Sequence, residues 1–366
     1  MSRRNRADSA SSVHFCEDCL DGHRKFGKLK CSNAKGRPLV VLAATTTNDP
    51  HHKNYFDDIA DFQIDFAESV IGRDNVLVLV DAKHSETFHR HLPPDVILEE
   101  QMNDIWLCDY APIRMNHPVF FSYRPSFLKK TTANWIQSGL KKMIKQHAPR
   151  EQPTDCEILL EGGNLVENFV DKAIVSARVF IENKPMSEQH VLARLRAVLG
   201  YSMIAILPDV DDMVAFIDTN VIAVSGSLPR TVFDVVMDAL RNAFGQSVRV
   251  VVLDSVHKRE QWRGFDSVCG LHVNLVATYD YLYVPVFGHD PDSVNQSEAR
   301  DQAVLDKILA NTSKTVVPVE VDYKMSRMGV SLRCNSWTAV GPLADALVDV
   351  ARRKRRYDDL PDTILD

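Results

Sequence analysis

Stretches of helical apolar periodicity alternate with groups of short apolar runs, and this alternation constrains the fold more than any other feature of the chain. The helical stretches lie near residues 56–72, 133–146, 188–199, 230–244 and 297–310, with a last one near 342–353. In the first, Phe56, Ile59, Phe62, Phe66 and Val70 recur at helical spacing ahead of Gly72. The stretch at 230–244 begins after Pro229 and stops at Gly245, with proline at the start and glycine at the end, as helix termini favour. Strand candidates fill the gaps, beginning at Leu39 and Asn75 and continuing at 118–123, 157–160, 173–181, 203–207, 221–225, 248–253, 270–277, 281–287 and 315–321. Five helices alternating with groups of strands predict an α/β fold of repeated units and exclude a sandwich or a helical bundle. The repeats carry no sequence identity, so the period alone does not fix the number of units.

The chain of 366 residues is long for one domain but within reach of a single α/β barrel or propeller. Apolar residues at 45% and charged residues at 25% give a globular balance. A net charge of -6 argues against a nucleic-acid partner bound through overall charge and suits a site that attracts small cations. No apolar run reaches the roughly 20 residues that span a bilayer, so no membrane partner is expected. The N-terminus lacks an apolar signal core, and seven cysteines are an odd count for a disulfide framework. A cytoplasmic protein is the expectation. Residues 1–37 read as a basic tail with no apolar period, 38–350 as one domain without an internal linker, and 351–366 as a charged C-terminal tail.

Four segments carry groups capable of chemistry. In Asn103-Asp-Ile-Trp-Leu-Cys-Asp-Tyr-Ala-Pro112, the carboxylate of Asp109 can hold a cation against the face of Trp106; a buried tryptophan with a capping aspartate has the same pattern. In Leu159-Leu-Glu-Gly-Gly-Asn164, Glu161 precedes two glycines where the backbone turns sharply or is approached closely, as in many ordinary turns. In Pro208-Asp-Val-Asp-Asp212, Asp209 and Asp211 point to one side if extended; a solvated acidic loop reads alike. In Met328-Gly-Val-Ser-Leu-Arg-Cys-Asn-Ser-Trp337, Cys334 follows alternating apolar residues, as at the exposed end of a strand, with Arg333 beside it to favour a thiolate. Free cysteines are also common as inert core residues.

Taken in this order, the four segments resemble the Porphyromonas-type peptidylarginine deiminase and agmatine deiminase family of the guanidine-modifying (pentein) superfamily. The first resembles its Trp-x-Arg-Asp motif and the second its Glu-Gly-Gly-Asn. The third stands where the family has Gly-His-x-Asp, and the fourth resembles its nucleophile segment. Trp262–Asn274 followed by Val284–Phe287 resembles the strand pair ahead of the nucleophile. The likeness covers about 38–345.

The resemblance implies a pentein α/β propeller of five pseudo-symmetric ββαβ-type units around a central active site. It implies catalysis by Cys334, Asp211 and Asp209, and substrate binding by Asp109, Glu161, Trp106 and Asn164. The substrate would be a small guanidino compound such as agmatine, converted through a cysteine thiolate to N-carbamoylputrescine and ammonia on the putrescine route from arginine. Peptidylarginine deimination and a catalytically impaired guanidinium-binding protein are the alternatives. No metal and no organic cofactor is implied, and a homodimer is the family expectation.

The chain departs from the pattern at its acid–base position, where Asp209 stands in place of the motif histidine. An ordinary carboxyl titrates near 3.9 against about 6.5 for histidine, so it is ionised at neutral pH and a poor acid for departing ammonia. General acid–base help is worth about 10²–10⁴ in rate. A shared proton could restore Asp209, or His272 or His289 could serve instead. Cys108 replaces the arginine beside Asp109, and Val330 replaces the second glycine of a pair near the nucleophile.

Two features lie outside the resemblance. Cys16, Cys19, His23 and Cys31 are zinc-ligand types whose first spacing fits a zinc site and whose remainder fits no common knuckle; incidental cysteines in a tail look the same. The run Arg352–Arg356 reads as a nuclear-localisation patch or as the solvated C-terminal end of a helix.

Overall fold

The structure is a computed structural model that describes residues 33–46, 52–113, 117–210, 213–257, 260–288 and 294–358. The tail cysteines with His23, and also Asp211 and His289, lie outside the described residues.

Strand β1 (Leu39–Ala43) runs parallel to β2 (Asn75–Val80), with α1 (Phe56–Val70) crossing between them. Short α2 (Ser85–His89) leads to β3 (Ile97–Glu99), parallel on the other side of β2, and then to a single turn, α3 (Leu107–Tyr110). Strands β4 (Val119–Ser122) and β5 (Thr154–Leu159) are again parallel, joined through α4 (Lys130–His147). Next, β6 (Leu165–Glu167) lies antiparallel to β7 (Lys172–Ser176); the chain passes through α5 (Arg178–Glu182) and α6 (Glu188–Leu199) into β8 (Met203–Leu207), parallel to β7. The order repeats in β9 (Val214–Asp218), β10 (Val221–Ser225), α7 (Arg230–Phe244) and β11 (Arg249–Leu253). A short hairpin, β12 (Gln261–Trp262) with β13 (Phe265–Asp266), intervenes. The order returns in β14 (Val276–Ala277), β15 (Tyr281–Val286), α8 (Val294–Leu309) and β16 (Thr315–Glu320). After α9 (Tyr323–Arg327), β17 (Ser336–Ala339) pairs antiparallel with β1, and α10 (Gly341–Asp358) follows.

One pattern recurs through these sheets: an antiparallel strand, a central strand, a helix, and a parallel strand on the far edge. Around β4 the antiparallel partner shrinks to the isolated bridge Ile113–Val119. Parallel pairing needs helix crossovers, and helices then cover both faces of the strands. In the first sheet Val40, Leu42, Val76 and Val78 pack into the α1 layer, while Leu39, Val41, Leu77 and Leu79 face α4 and α10. That is why these strands read as unbroken apolar runs.

Local signals set the helix ends. The Ser187 side chain accepts the His190 N–H at the start of α6, and Gly200 closes that helix in the left-handed region at φ 68. All six helical stretches read from the sequence are present. Two strand expectations are corrected. Residues 173–181 are not one strand: β7 stops at Ser176, and the apolar run turns into α5 because Asn183 clamps that helix onto β5, donating to Leu159 O at 2.9 Å and accepting from Leu159 N at 2.8 Å. Residues 270–277 form a strand only at Val276–Ala277. Before it the chain makes tight turns, with Gly270 at φ 82 and its α-carbon so close to Val256 O that a Cβ would lie 2.1 Å away.

Residues 33–37, read as part of the basic tail, are tied to the body. The Asn33 amide donates to Val76 O and Asp95 O, both at 2.9 Å, and Gly36 N–H donates to Asp345. At the other end α10 runs to Asp358, with Ala351 fully buried beneath it.

Candidate active site

Three of the four segments meet through hydrogen bonds of backbone and side chain. Cys108 N–H donates to Cys334 O at 3.3 Å. Asp109 Oδ1 accepts Gly163 N–H at 3.1 Å. The Arg333 guanidinium donates to Gly163 O at 2.8 Å and Leu165 O at 3.0 Å. The approach is close enough to require glycine: a Cβ on Gly162 would fall 1.9 Å from Cys108 O. The double glycine therefore lets the strand-end turn of Glu161 sit directly on the turn of Asp109. Glu161 is 9% exposed, and Asn164 is buried with its N–H on Glu161 O.

Cys334 is not at the exposed end of a strand. It is 8% exposed, in a turn two residues ahead of β17. Its sulfur meets Asn274, a residue to which the sequence reading gave no role. Ser331 Oγ donates to Asn274 Oδ1 at 2.8 Å, which fixes the amide orientation and turns Nδ2 toward Cys334 Sγ at 3.6 Å. The sulfur also lies 3.9 Å from Asn274 Oδ1, so this amide can donate to a thiolate or accept from a thiol. Ser331 Oγ also receives Cys334 N–H at 3.4 Å, so one hydroxyl holds both the amide and the turn. Arg333, expected to favour the thiolate, turns its Nη2 to the carbonyls of Gly163 and Leu165 instead.

Trp106 does not offer a bare face. Phe265 stacks on it at 5.9 Å between centroids, and His52 meets it edge-on at 5.7 Å. Trp262 joins the group, stacked on His52 at 6.0 Å and with the Arg263 guanidinium over its ring at 4.9 Å. Arg263 and Gly264 both take positive φ in the turn of the β12–β13 hairpin, the conformation that tight two-residue hairpins need. The hairpin thus lays an aromatic cover over Trp106, and Gly329 of the nucleophile segment packs beneath it, where a Cβ would sit 3.7 Å from the indole. Trp262–Asn274, expected as one strand of a pair, is this hairpin plus the turns that carry Asn274.

Asp209 stands apart from the three linked turns. It follows the end of β8 by two residues, as Glu161 follows the end of β5, and its Oδ1 accepts the N–H of its own neighbour Val210 at 2.8 Å. Its charged neighbour is Arg178. Burial works against the Arg178 charge, but the carboxylates of Glu161, Glu182 and Asp209 outweigh it and hold the guanidinium above its ordinary value. Burial, reinforced by Asp104, Asp109 and Glu161, pushes the Tyr123 phenol far up and keeps it neutral.

His272 is bonded away from the linked turns. It is 2% exposed, with Nε2 at 2.7 Å from Asp301 Oδ1 and Nδ1 at 3.1 Å from Gly270 O. Its Nε2 contact reaches α8, where Asp301 Oδ2 also accepts Phe287 N–H at 2.7 Å, and its Nδ1 contact stays within its own turn. Among the described residues no group of three histidine, cysteine or acidic side chains is arranged to hold a metal ion. A cavity opens beside the linked turns. Its walls include Cys108, Gly162, Glu167, Phe216, Arg333 and Trp337, neighbours of the candidate residues but not those residues themselves.

The described helices include none long and apolar enough to cross a membrane. No curated protein matches the chain. Solved structures do. The agmatine deiminase of C. jejuni superposes with a TM-score of 0.66 at 16% identity, covering 85% of this chain and 96% of its own. A cysteine-to-serine variant of that enzyme with substrate bound gives a TM-score of 0.65 at the same identity and coverage. The agmatine deiminase of Enterococcus faecalis gives 0.60 at 14% identity, over 84% and 94% of the two chains. These likenesses establish a shared α/β fold. The model of one family matches residues 38–339, the span that holds Trp106, Asp109, Glu161, Asp209 and Cys334, and the chain belongs to the Porphyromonas-type peptidyl-arginine deiminase family.

Proposed function

We propose that the protein is an agmatine deiminase-like hydrolase of a small guanidino compound, with Cys334 as nucleophile. The observation that carries this reading is the bonded layer in which the Cys334 thiol, held by Asn274, adjoins the turns of Asp109 and Glu161. Carboxylates match the planar fork of guanidinium N–H donors, so Asp109, Glu161 and Asp211 hold the substrate. The Cys334 thiolate adds to the guanidinium carbon and forms a C–S bond; one C–N bond breaks, and ammonia leaves with a proton. Water then adds to the same carbon, the C–S bond breaks, and a ureido product and the free thiol result. With agmatine the product is N-carbamoylputrescine. In this reading the five helix crossovers of residues 38–350 stand around one axis, as a single propeller domain with the site at its centre.

A second reading is a guanidinium-binding protein of this fold whose turnover is impaired. It is favoured by two observations: His272 is bonded to Gly270 and Asp301, and Asp209 faces a cation.

Ammonia and ureido-product release from agmatine, measured between pH 5 and 9, separates the readings. Turnover that disappears in Cys334→Ala supports the hydrolase. Silence of the wild type together with turnover in Asp209→His supports the impaired binder. Silence of both, with no agmatine binding, sinks the guanidino reading altogether.

A further inference from the structure

Strand β6 joins two unlike turns. Gly162 precedes it, in the layer of linked turns, and Phe169 follows it. Phe169 has φ 64, in the left-handed region that is strained for a bulky side chain. The turn holds it there. Asn168 Oδ1 accepts the N–H groups of Val170 and Asp171 at 3.0 Å and of Lys172 at 2.9 Å. Asn168 Nδ2 donates to Thr219 O at 2.8 Å, in the turn between β9 and β10. These bonds fix a phenylalanine in a conformation that glycine or asparagine adopts at little cost. A residue held against its own preference is a mark of ligand clamps.

Phe169 lines the cavity beside the linked turns. The antiparallel edges of the recurring strand pattern all border that cavity: Val166 of β6, Phe216 of β9, Val276 of β14, Trp337 of β17 and the bridge residue Ile113. Cys108, Gly162 and Arg333 form the wall it shares with the linked turns. Its volume is about 130 Å³, and an apolar cavity of about 150 Å³ accepts a benzene ring. The charged groups of the wall are engaged with the protein. Arg333 Nη2 donates to Gly163 O and Leu165 O, and Glu167 Oε2 accepts the Tyr201 hydroxyl. A charge brought into the cavity would lose its water in exchange for groups already bonded, whereas a neutral ring meets Phe169, Phe216 and Trp337.

We propose that this cavity is a second binding site, for a small neutral ring compound, and that Phe169 clamps the ligand in it. The site is separate from the carboxylates of Asp109 and Glu161 and independent of what they bind. Its ligand lies against the reverse side of the turns that carry Cys108 and Gly162, one hydrogen bond from Cys334 O.

The test is calorimetric titration of the full chain with benzyl alcohol, benzoate and benzylamine, which share a ring and differ in charge. Benzyl alcohol binds saturably, and both ions bind more weakly. In Phe169→Asn its affinity falls about tenfold, the scale of one lost aromatic contact. Thermal unfolding of that variant without ligand stays at or above the wild-type temperature, because asparagine tolerates the left-handed region. In Ala277→Phe, whose added ring fills the cavity from β14, binding disappears. A wild type that does not bind benzyl alcohol, or that takes either ion more tightly, overturns the proposal. So does undiminished binding in either folded variant. A marked drop in the melting temperature of Phe169→Asn makes the ring a core element and overturns its role as a clamp. Should Ala277→Phe not fold, Phe169→Asn still decides.

Discussion

The two sides of the candidate site are built to different standards. On one side the turns of Asp109, Glu161 and Cys334 are cross-linked by backbone and side-chain hydrogen bonds and approach so closely that only glycine fits between them. On the other side Asp209 is held by the N–H of its own neighbour and by the charge of Arg178. The locked side fixes where the Cys334 sulfur and two carboxylates stand. The loose side carries the departure from the family motif. A residue can be exchanged where little else depends on it, as at Asp209, and less readily in a bonded turn such as that of Cys334.

Substitutions test this contrast. The largest effect is expected from Gly162→Ala, whose added carbon must push Cys108 O away by more than an ångström. Overpacking against backbone costs about 1–3 kcal/mol and sometimes more, so a marked drop in melting temperature should accompany loss of agmatine binding. Survival at wild-type stability would break the idea of a locked side. Arg333→Met follows, leaving Gly163 O and Leu165 O without their donor at a cost of about 1–3 kcal/mol in denaturant unfolding. Asn274→Ala should slow alkylation of Cys334 by about tenfold at pH 8, since a hydrogen bond to a charged group is worth about 1.5 kcal/mol or more. Mass spectrometry of the Cys334 peptide reads this, with buried Cys156 and Cys269 as references. Smallest is Asp209→Asn, which should shift stability by less than about 1 kcal/mol, since its side chain is bonded only to the N–H of its neighbour. A larger loss there would mean that the two sides are equally well built.

Much of the fold was legible in the sequence because each helix carries its own periodicity and stop signal, and strands buried on both faces read as apolar runs. The failures share a cause. Nothing local tells the run after Lys172 to leave the sheet at Ser176; the decision is made by Asn183 on Leu159, 24 positions back. Two-residue strands such as β12 and β13 are too short to show a period. In the site, the ordered motifs marked the segments that meet, but not how they are fastened. The Asn274 contact to Cys334 spans 60 positions, and Trp106, expected to offer a face to a cation, is covered by a hairpin more than 150 positions later.

Asp301 gives the exterior of the molecule a grip on its chemistry. One oxygen of this carboxylate holds the His272 ring, two residues from the amide that touches the sulfur, and the other holds the end of β15. Helix α8 is thereby tied to the same run of turns that brings Asn274 to the Cys334 sulfur. The seating of α8 and the placement of the turns that carry Asn274 therefore share one buried carboxylate.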